Sequence, residues 1–393
     1  MDLIEDFVRG TANLASPEQF RRWSAISMVS AALSRRVWTC FEDDKKLFAN
    51  TYVILVSSPG LGKTRPMDLV AELLRPMSWI KRSANEVTRQ RTIQDIADVF
   101  PEGKAEGERS FFFLVREMAT FMPEGDAAWM QAIADLWDCP REYEKAIKGK
   151  SESSGRSEDI VYKPYVSLLF GAQPAWFAEG LPKTSYEMGF PARVFFIYAD
   201  MKPERKLFLR RKQLANKGEL HEGLKQLRTR KGEIMWSKPA QAAFIAWMDG
   251  GCTPVIDDPL LNSYNVRRDV HAAKIALINA CARGHEEIEL DDLERAWRYM
   301  FAAEVQMPAA LTNAGGNVYR AQEELAVEYV QREWDRTGGR HVHEREVRRR
   351  LSKTTSTMVV ERILNELIAQ GRLKMLYAEK NKAPNRLLKP GVG

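Results

Sequence analysis

Residues 52–64 read YVILVSSPGLGKT and set the architecture expected for the chain. Their first part, Tyr52–Val56, is a short apolar run rich in branched side chains, which is typical of a buried strand in a parallel sheet. A glycine-rich turn follows at once, and residues 68–74 (DLVAELL) begin a helical pattern. A strand, a glycine loop and a helix in this order predict a loop that binds the phosphates of a nucleotide.

The glycines, the lysine and the threonine of the loop at residues 57–64 each suit phosphate binding for a chemical reason. Gly60 and Gly62 allow backbone conformations that a side chain would block, so successive N–H groups turn toward one phosphate chain. Lys63 brings a positive charge to the β- and γ-phosphates, and Thr64 brings a hydroxyl that ligates Mg²⁺. We therefore expect ATP and Mg²⁺ as cofactors, with contacts from Ser58, Pro59, Gly60, Leu61, Gly62, Lys63 and Thr64.

Three further apolar runs have the length and composition of buried strands. They are residues 111–115 (FFFLV), 166–173 (VSLLFGAQ) and 193–198 (RVFFIY), and helical stretches separate them. Strands that alternate with helices predict an α/β fold with a parallel sheet.

Polar side chains follow two of these strands. Glu117 comes directly after the second strand, where a carboxylate can ligate Mg²⁺ and polarise the attacking water. Gln173 ends the third strand, and its amide can both donate and accept hydrogen bonds beside the γ-phosphate. The alternatives are an exposed carboxylate at a strand end for Glu117 and a turn-capping role before Pro174 for Gln173.

Three arginines are candidates for contacts with the γ-phosphate. Arg193 begins the fourth strand and is expected to act as a finger that neutralises charge in the transition state, reaching across a subunit boundary. The alternative for Arg193 is a local ion pair. Arg267 and Arg268 stand at the start of a predicted lid helix, from which one of them is expected to reach the nucleotide.

Two basic segments are candidates for DNA contacts. Lys145, Lys148, Lys150 and Arg156 lie in a stretch rich in Ser and Gly between the second and third strands. In a ring, such a loop faces the central pore and follows a single strand through its phosphates; the alternative is a surface loop. In the C-terminal region, Lys353 and Thr354 precede a predicted recognition helix and suit phosphate contacts, while the alternative there is a protein-binding role.

The chain divides by pattern into four regions. Residues 1–48 read as a helical segment, 49–204 as the P-loop core, and 205–312 as a charged helical lid. The alternative for the basic run in the lid region is a solvated helix face. Three helices and a terminal hairpin in residues 320–393 predict a winged helix. Residues 341–393 carry twelve Lys and Arg against five Asp and Glu, so this tail holds the basic excess of a chain whose net charge is +6.

The composition of the 393-residue chain is that of a globular protein, with 45% hydrophobic and 28% charged residues. The four cysteines form no C-x-x-C pair, which argues against a zinc site and a disulfide framework. The acidic N-terminus is unlike a signal peptide, and apolar runs of about ten residues are too short to cross a bilayer. A cytoplasmic protein without a membrane partner is expected.

The order of these motifs resembles that of phage and prophage P-loop ATPases described as helicase-like or primase-helicase-associated. The resemblance covers roughly residues 10–305. It depends on the loop at 57–64 and on five further pieces, which are residues 17–23 (PEQFRRW), 114–119 (LVREMA), 171–174 (GAQP), 189–193 (GFPAR) and 264–274 (YNVRRDVHAAK). The arrangement is also similar to hexameric AAA+ replicative helicases of the minichromosome maintenance type.

This resemblance implies a homo-oligomeric ring, a hexamer, with ATP sites shared between neighbours. Lys63, Thr64, Glu117 and Gln173 would act from one subunit and Arg193 from the next. A helicase-like motor that moves single-stranded DNA through a pore, holds duplex DNA with its winged helix and works with other replication proteins is the function implied. Ser57 and Arg116 depart from the usual motif residues, which are a glycine or alanine and an acid.

Two alternatives remain open at the level of sequence. The first is a replication initiator or helicase loader that hydrolyses ATP slowly and binds origin DNA. The second is a DNA-binding scaffold that does not hydrolyse ATP, which the arginine at position 116 favours.

Overall fold

The computed structural model describes residues 1–41, 45–83, 89–121, 127–146, 158–180, 189–201, 216–256, 258, 261–312, 320–351, 357–369, 371–377 and 386–391. They belong to two compact units, Met1–Ala314 and Gly315–Gly393. The strands of the first unit are β1 (Val37–Thr39), β2 (Leu47–Phe48), β3 (Tyr52–Val56), β4 (Ile80–Arg82), β5 (Ser110–Val115), β6 (Glu142–Ala146), β7 (Glu158–Tyr162), β8 (Val166–Ala172), β9 (Val194–Tyr198) and β10 (Gly232–Glu233).

The centre of the first unit is a five-stranded sheet in the order β4-β5-β8-β3-β9, and all its neighbouring strands run parallel. This confirms the predicted α/β class. The sheet is buried because β3, β5 and β8 contain only buried residues, as expected when helices cover both faces. The edge strand β4 was not predicted, since Ile80-Lys81-Arg82 carries no apolar run.

Helices flank this sheet. Their bounds are Leu3–Gly10, Glu18–Leu33, Thr64–Leu74, Arg89–Val99, Met118–Phe121, Ala127–Trp137, Pro174–Gly180, Lys217–Leu227, Lys238–Asp249, Asn262–Asn265, Arg268–Arg283, Leu290–Glu304 and Met307–Thr312, with short 3-10 turns at Ser34–Arg36 and Pro191–Arg193. Among the helices of the described residues, none is both long enough and apolar enough to cross a membrane.

The helix Glu18–Leu33 belongs to the core of the first unit and is buried on most of its faces. Two of its serines are satisfied internally: the hydroxyls of Ser30 and Ser167 lie 2.9 Å apart, and Ser27 Oγ donates to the carbonyl of Trp23 at 2.9 Å. Such bonds remove the cost of burying hydroxyls. Residues 1–48 therefore pack directly on the sheet, and they also contain β1 and β2, where only helix was predicted.

Small sheets lie outside the central one. Strand β10 pairs with β1. The prediction that region 205–312 is purely helical is therefore wrong at this strand. Strands β6 and β7 form an antiparallel pair with Glu142 opposite Tyr162. The predicted basic loop therefore begins inside β6, which contains Lys145.

The second unit has three helices, Arg320–Arg336, Glu344–Leu351 and Thr357–Ala369, and strands β11 (Val342–His343), β12 (Leu373–Tyr377) and β13 (Arg386–Pro390). The antiparallel sheet has the order β11-β13-β12. Its core contains buried aliphatic side chains from every helix and strand, among them Val330, Val342, Leu351, Leu364, Leu373 and Leu388. The helices and the hairpin lie where the sequence predicts them, and β11 is an addition.

Candidate nucleotide-binding site

The glycine loop leaves β3 at the carboxyl edge of the central sheet and leads into the helix Thr64–Leu74, which we call the loop helix. Ser57 is still anchored to the sheet, because its N–H donates to the carbonyl of Ala172 at 3.3 Å. Beyond it, Ser58, Pro59 and Gly60 are exposed. The backbone of the predicted phosphate loop is thus held at its base and open at its tip.

The two loop glycines have left-handed backbones, with φ of +82° at Gly60 and +88° at Gly62. Their surroundings differ. A Cβ at Gly62 would lie 2.3 Å from the carbonyl oxygen of Ala15 and 2.9 Å from Cα of Ser16, whereas nothing lies within 4 Å of a Cβ at Gly60. The loop therefore packs against the turn that precedes Glu18–Leu33, and Gly62 is required by both conformation and space.

We expect Gly62→Ala to lower the free energy of unfolding by about 2–4 kcal/mol, because left-handed strain and a clash with fixed backbone add up. The matched variant Gly60→Ala meets only the strain and should cost roughly 1 kcal/mol. Urea unfolding of both variants measures the difference. Equal effects at the two positions would show that the close approach of Ala15 has no energetic consequence.

The side chain of Lys63 is buried in the loop, with 8% of its surface exposed. Its Nζ donates to the carbonyl of Ser57 across the base of the loop. Burial lowers the pKa of Lys63 to about 8, and the nearby carboxylate of Glu117 opposes this shift. The ammonium is thus held inside the loop by a hydrogen bond to a backbone carbonyl.

The register of the sheet brings the two polar strand ends together. Val115 of β5 is level with Phe170 of β8, so Glu117 comes level with the end of β8. Gln173 Nε2 lies 3.4 Å from Glu117 Oε2, to which it donates. Lys63, Glu117 and Gln173 therefore converge at one edge of the sheet from three separate strands.

Arg116 stands where a second acid is usual, and it has a partner of its own. Its guanidinium binds Asp68 of the loop helix, with Nη2 2.7 Å and Nε 2.8 Å from Oδ1. The residues available for Mg²⁺ are consequently Thr64, exposed at the start of the loop helix, and Glu117. Mg²⁺ commonly binds through one or two protein groups together with substrate phosphates. Among the described residues, no group of three His, Cys, Asp or Glu is arranged to hold a metal.

Arg193 lies at the amino edge of the central sheet, where the parallel strands begin, opposite the carboxyl edge that carries the glycine loop. It directly precedes β9, whose last residue, Tyr198, is level with Val56 at the end of β3. Five residues of strand separate it from the carboxyl edge by roughly 16 Å. Arg193 is 9% exposed and forms the local ion pair considered as an alternative, with Nη2 2.6 Å from Oδ2 of Asp138.

Arg267 shares this carboxylate, since its Nη1 lies 3.6 Å from Oδ1 of Asp138. Both arginines also lie over the ring of Trp137, at 5.8 Å for Arg193 and 5.6 Å for Arg267. Buried Lys274 lies 3.9 Å from the centre of the same ring. We call Trp137, Asp138, Arg193, Arg267 and Lys274 the arginine cluster.

The structure corrects the prediction for Arg268. Its guanidinium is 0% exposed and binds both carboxylate oxygens of Glu304 at 2.8 Å, while Nη1 donates to the carbonyl of Cys252. A guanidinium enclosed in this way is not available to a nucleotide, and Arg268 stabilises the packing of two helices instead. His271, on the next turn, is buried, and its Nε2 lies 2.9 Å from the carbonyl oxygen of Ala192. Its burial lowers the pKa to about 3.

Of the six candidate DNA-contacting residues, only Lys145 lies within the described residues. The backbone of Lys145 belongs to β6. Lys148, Lys150, Arg156, Lys353 and Thr354 lie outside the described residues. Their roles stay predictions from the sequence.

Three members of the arginine cluster were missed from the sequence, namely Trp137, Asp138 and Lys274. Trp137 and Asp138 end an apolar helix, and no motif marks them. The sequence matches no protein-family model, and no curated protein sequence matches it.

Proposed function

We propose that the chain is an ATPase whose nucleotide lies on the glycine loop at the carboxyl edge of the sheet. The observation that carries this proposal is the convergence of Lys63, Glu117 and Gln173 beside that loop. Ligands of parallel α/β sheets bind outside the carboxyl ends of the strands. The N-terminus of the loop helix, which has no acidic residue in its first turn, favours an anion at the same place.

The strand order places the glycine loop and Glu117 on different strands. Strand β8 separates β3, which carries the loop, from β5, which carries Glu117. Two strand spacings place the carboxylate roughly 10 Å to one side of the loop strand. That separation leaves room for a terminal phosphate and a water molecule between the loop strand and Glu117.

The hydrolysis proposed here proceeds by attack of water on the γ-phosphorus. Glu117 accepts the proton of the water as the new P–O bond forms, and the bond to the β,γ-bridging oxygen breaks to leave ADP. Lys63 neutralises charge on the phosphates, and Gln173 orients the water and the carboxylate. Mg²⁺, when bound, supplies further positive charge to the phosphate oxygens.

Glu117→Gln tests this assignment. The amide cannot accept the proton, so phosphate release is expected to fall by about 10²–10⁴-fold, while the affinity for Mg-ATP, to which Glu117 contributes through Mg²⁺, should fall far less. Phosphate release and calorimetric titration measure the two quantities separately, and Glu233→Gln on exposed β10 is a matched control. Unchanged hydrolysis in Glu117→Gln would remove this residue from the mechanism.

The pKa of Lys63, about 8 in the free protein, predicts a pH dependence of ATP affinity. Bound phosphates raise this pKa. ATP binding is therefore accompanied by proton uptake only at pH values above the pKa of Lys63 in the free protein. The affinity should be nearly constant below about pH 7 and should fall by up to tenfold per unit above about pH 8. Titrations across this range in buffers of different ionisation enthalpy measure both affinity and proton uptake. Lys63→Arg, which stays charged, should abolish the proton uptake; if uptake persists in this variant, another group is responsible.

The position of Arg193 supports an oligomer with shared sites. A residue at the amino edge cannot reach a phosphate at the carboxyl edge of its own sheet, but it can reach one bound to a neighbour. We infer a ring-forming, helicase-like motor acting on DNA, with the second unit as a winged helix that binds duplex DNA. Unwinding of a forked substrate tests the motor; slow hydrolysis with binding of duplex DNA and no unwinding would favour an initiator or loader.

One observation favours a second candidate function. Arg116 occupies the usual position of an acid and is engaged with Asp68, so the site has one carboxylate fewer for Mg²⁺. A scaffold that binds ATP without hydrolysing it follows from this arrangement. Measurement of phosphate release with and without single-stranded DNA decides between the scaffold and the ATPase.

A further inference from the structure

We propose that a cleft between the loop helix and the ends of β4 and β5 binds a phosphate group that is not part of the nucleotide on the glycine loop. The cleft has a volume of about 280 Å³. Its polar lining consists of Asp68, Arg75, Arg82, Ser83 and Arg116. This proposal does not require ATP to bind at the glycine loop.

Three separate elements supply the lining. Asp68 lies on the loop helix and Arg75, seven residues later, directly follows it with helical backbone angles, so the two share a face. Arg82 ends β4 and Ser83 follows it, held by a 3.0 Å bond from its N–H to the carbonyl of Phe112. Arg116 follows β5. The site is thus built on the ends of regular elements at the carboxyl edge of the sheet.

The charges of the cleft are not balanced. Among the residues that line it, three are arginines and one, Asp68, is acidic. Asp68 is already bound to Arg116 at 2.7 Å. Arg82 donates to the carbonyl of Ala71 at 3.2 Å, and burial together with the neighbouring Arg75 lowers its pKa. Among the described residues, no ion pair neutralises Arg75 or Arg82, and an anion would relieve the repulsion between them.

Ser83 gives an independent indication of a missing ligand. Its Oγ is buried and has no hydrogen-bond partner among the residues that the structure describes. Buried hydroxyls are normally paired, so a group that accepts from Ser83 and from guanidinium N–H donors would complete the site.

The chemistry of the lining selects phosphate. Guanidinium groups bind phosphate oxygens in a planar, two-pronged geometry. The surplus of two positive charges matches one phosphate dianion or two phosphodiester groups. The rest of the lining is Met67, Ala71 and Leu114, which offers no aromatic ring for stacking a base.

Two sources carry this chemistry, a free phosphate anion and the backbone of a nucleic acid, and two probes distinguish them. All variants are made in a Lys63→Met background, which weakens binding at the glycine loop. Inorganic pyrophosphate is titrated by calorimetry, and a fluorescein-labelled oligothymidylate is titrated by anisotropy at low salt. The variants are Arg75→Gln/Arg82→Gln and Asp68→Asn, with Arg298→Gln, an exposed helix position, as the matched control.

We expect the double variant to lose at least about tenfold in affinity and Asp68→Asn to gain affinity, because removing the carboxylate increases the positive charge. A gain cannot result from misfolding, so the two variants together test the site. Changes with both probes identify a general phosphate site, and changes with the oligonucleotide alone identify a backbone site. If both variants bind both probes as the control does, or if the parent binds neither, the cleft is not a phosphate site.

Discussion

Replacing Lys63 with methionine is expected to weaken Mg-ATP binding by about 100–1,000-fold. Lys63 is the buried ammonium of the loop, and its Nζ donates to the carbonyl of Ser57 at the base. Methionine has a similar volume but no charge, so the phosphates lose a charged hydrogen bond of about 1.5–3 kcal/mol together with the longer-range attraction. Each 1.4 kcal/mol corresponds to tenfold in the dissociation constant.

Calorimetric titration of Mg-ATP measures this loss directly. Because burial lowers the pKa of Lys63, removal of the charged group should not destabilise the fold. The thermal unfolding temperature of Lys63→Met should therefore be equal to or above that of the parent. Lys231→Met, an exposed lysine of the same unit, is the control. Retention of full affinity in Lys63→Met would place the nucleotide elsewhere and would remove the basis of the proposed ATPase.

The parts of the site that the sequence predicted are those governed by local patterns. A run of apolar residues, two glycines and a lysine define the loop, and the register of parallel strands then requires Glu117 and Gln173 to meet. Carboxyl ends of parallel strands lie along one edge, so this convergence could be inferred without coordinates.

The parts that escaped prediction depend on contacts between distant residues. Asp138 meets Arg193 across 55 residues of chain, and no motif links them. The phosphate cleft draws on β4, whose three residues carry too little apolar character to be recognised as a strand.

The different fates of Arg267 and Arg268 show the same limit. Consecutive residues of a helix point about 100° apart, so one arginine meets Asp138 near the surface and the other meets Glu304 in the core. The sequence reveals the two charges but not which of them faces inward, because that depends on how the helix packs.

Arg193→Gln is expected to lower ATP hydrolysis by about 10³-fold or more while leaving nucleotide affinity nearly unchanged. The physical reason is that a guanidinium neutralises charge in the transition state, while Arg193, at the amino edge, lies roughly 16 Å from the carboxyl edge of its own sheet. Steady-state phosphate release and calorimetry measure the two effects, with exposed Arg298→Gln as the control. A loss of affinity equal to the loss of rate would indicate a role in binding.

A mixing experiment separates a finger that acts on a neighbour from a local structural pair. Lys63→Met has a defective loop but an intact Arg193, whereas Arg193→Gln has an intact loop but no finger. In mixed oligomers, the arginine of the first variant faces the nucleotide of the second, so hydrolysis should return although each variant alone is inactive. A chain misfolded by loss of the Arg193–Asp138 pair could not contribute a working loop, so recovery requires both a folded partner and a shared site. Absence of recovery, with mixed oligomers demonstrated by mass, would confine Arg193 to its ion pair with Asp138 and would leave the sites independent.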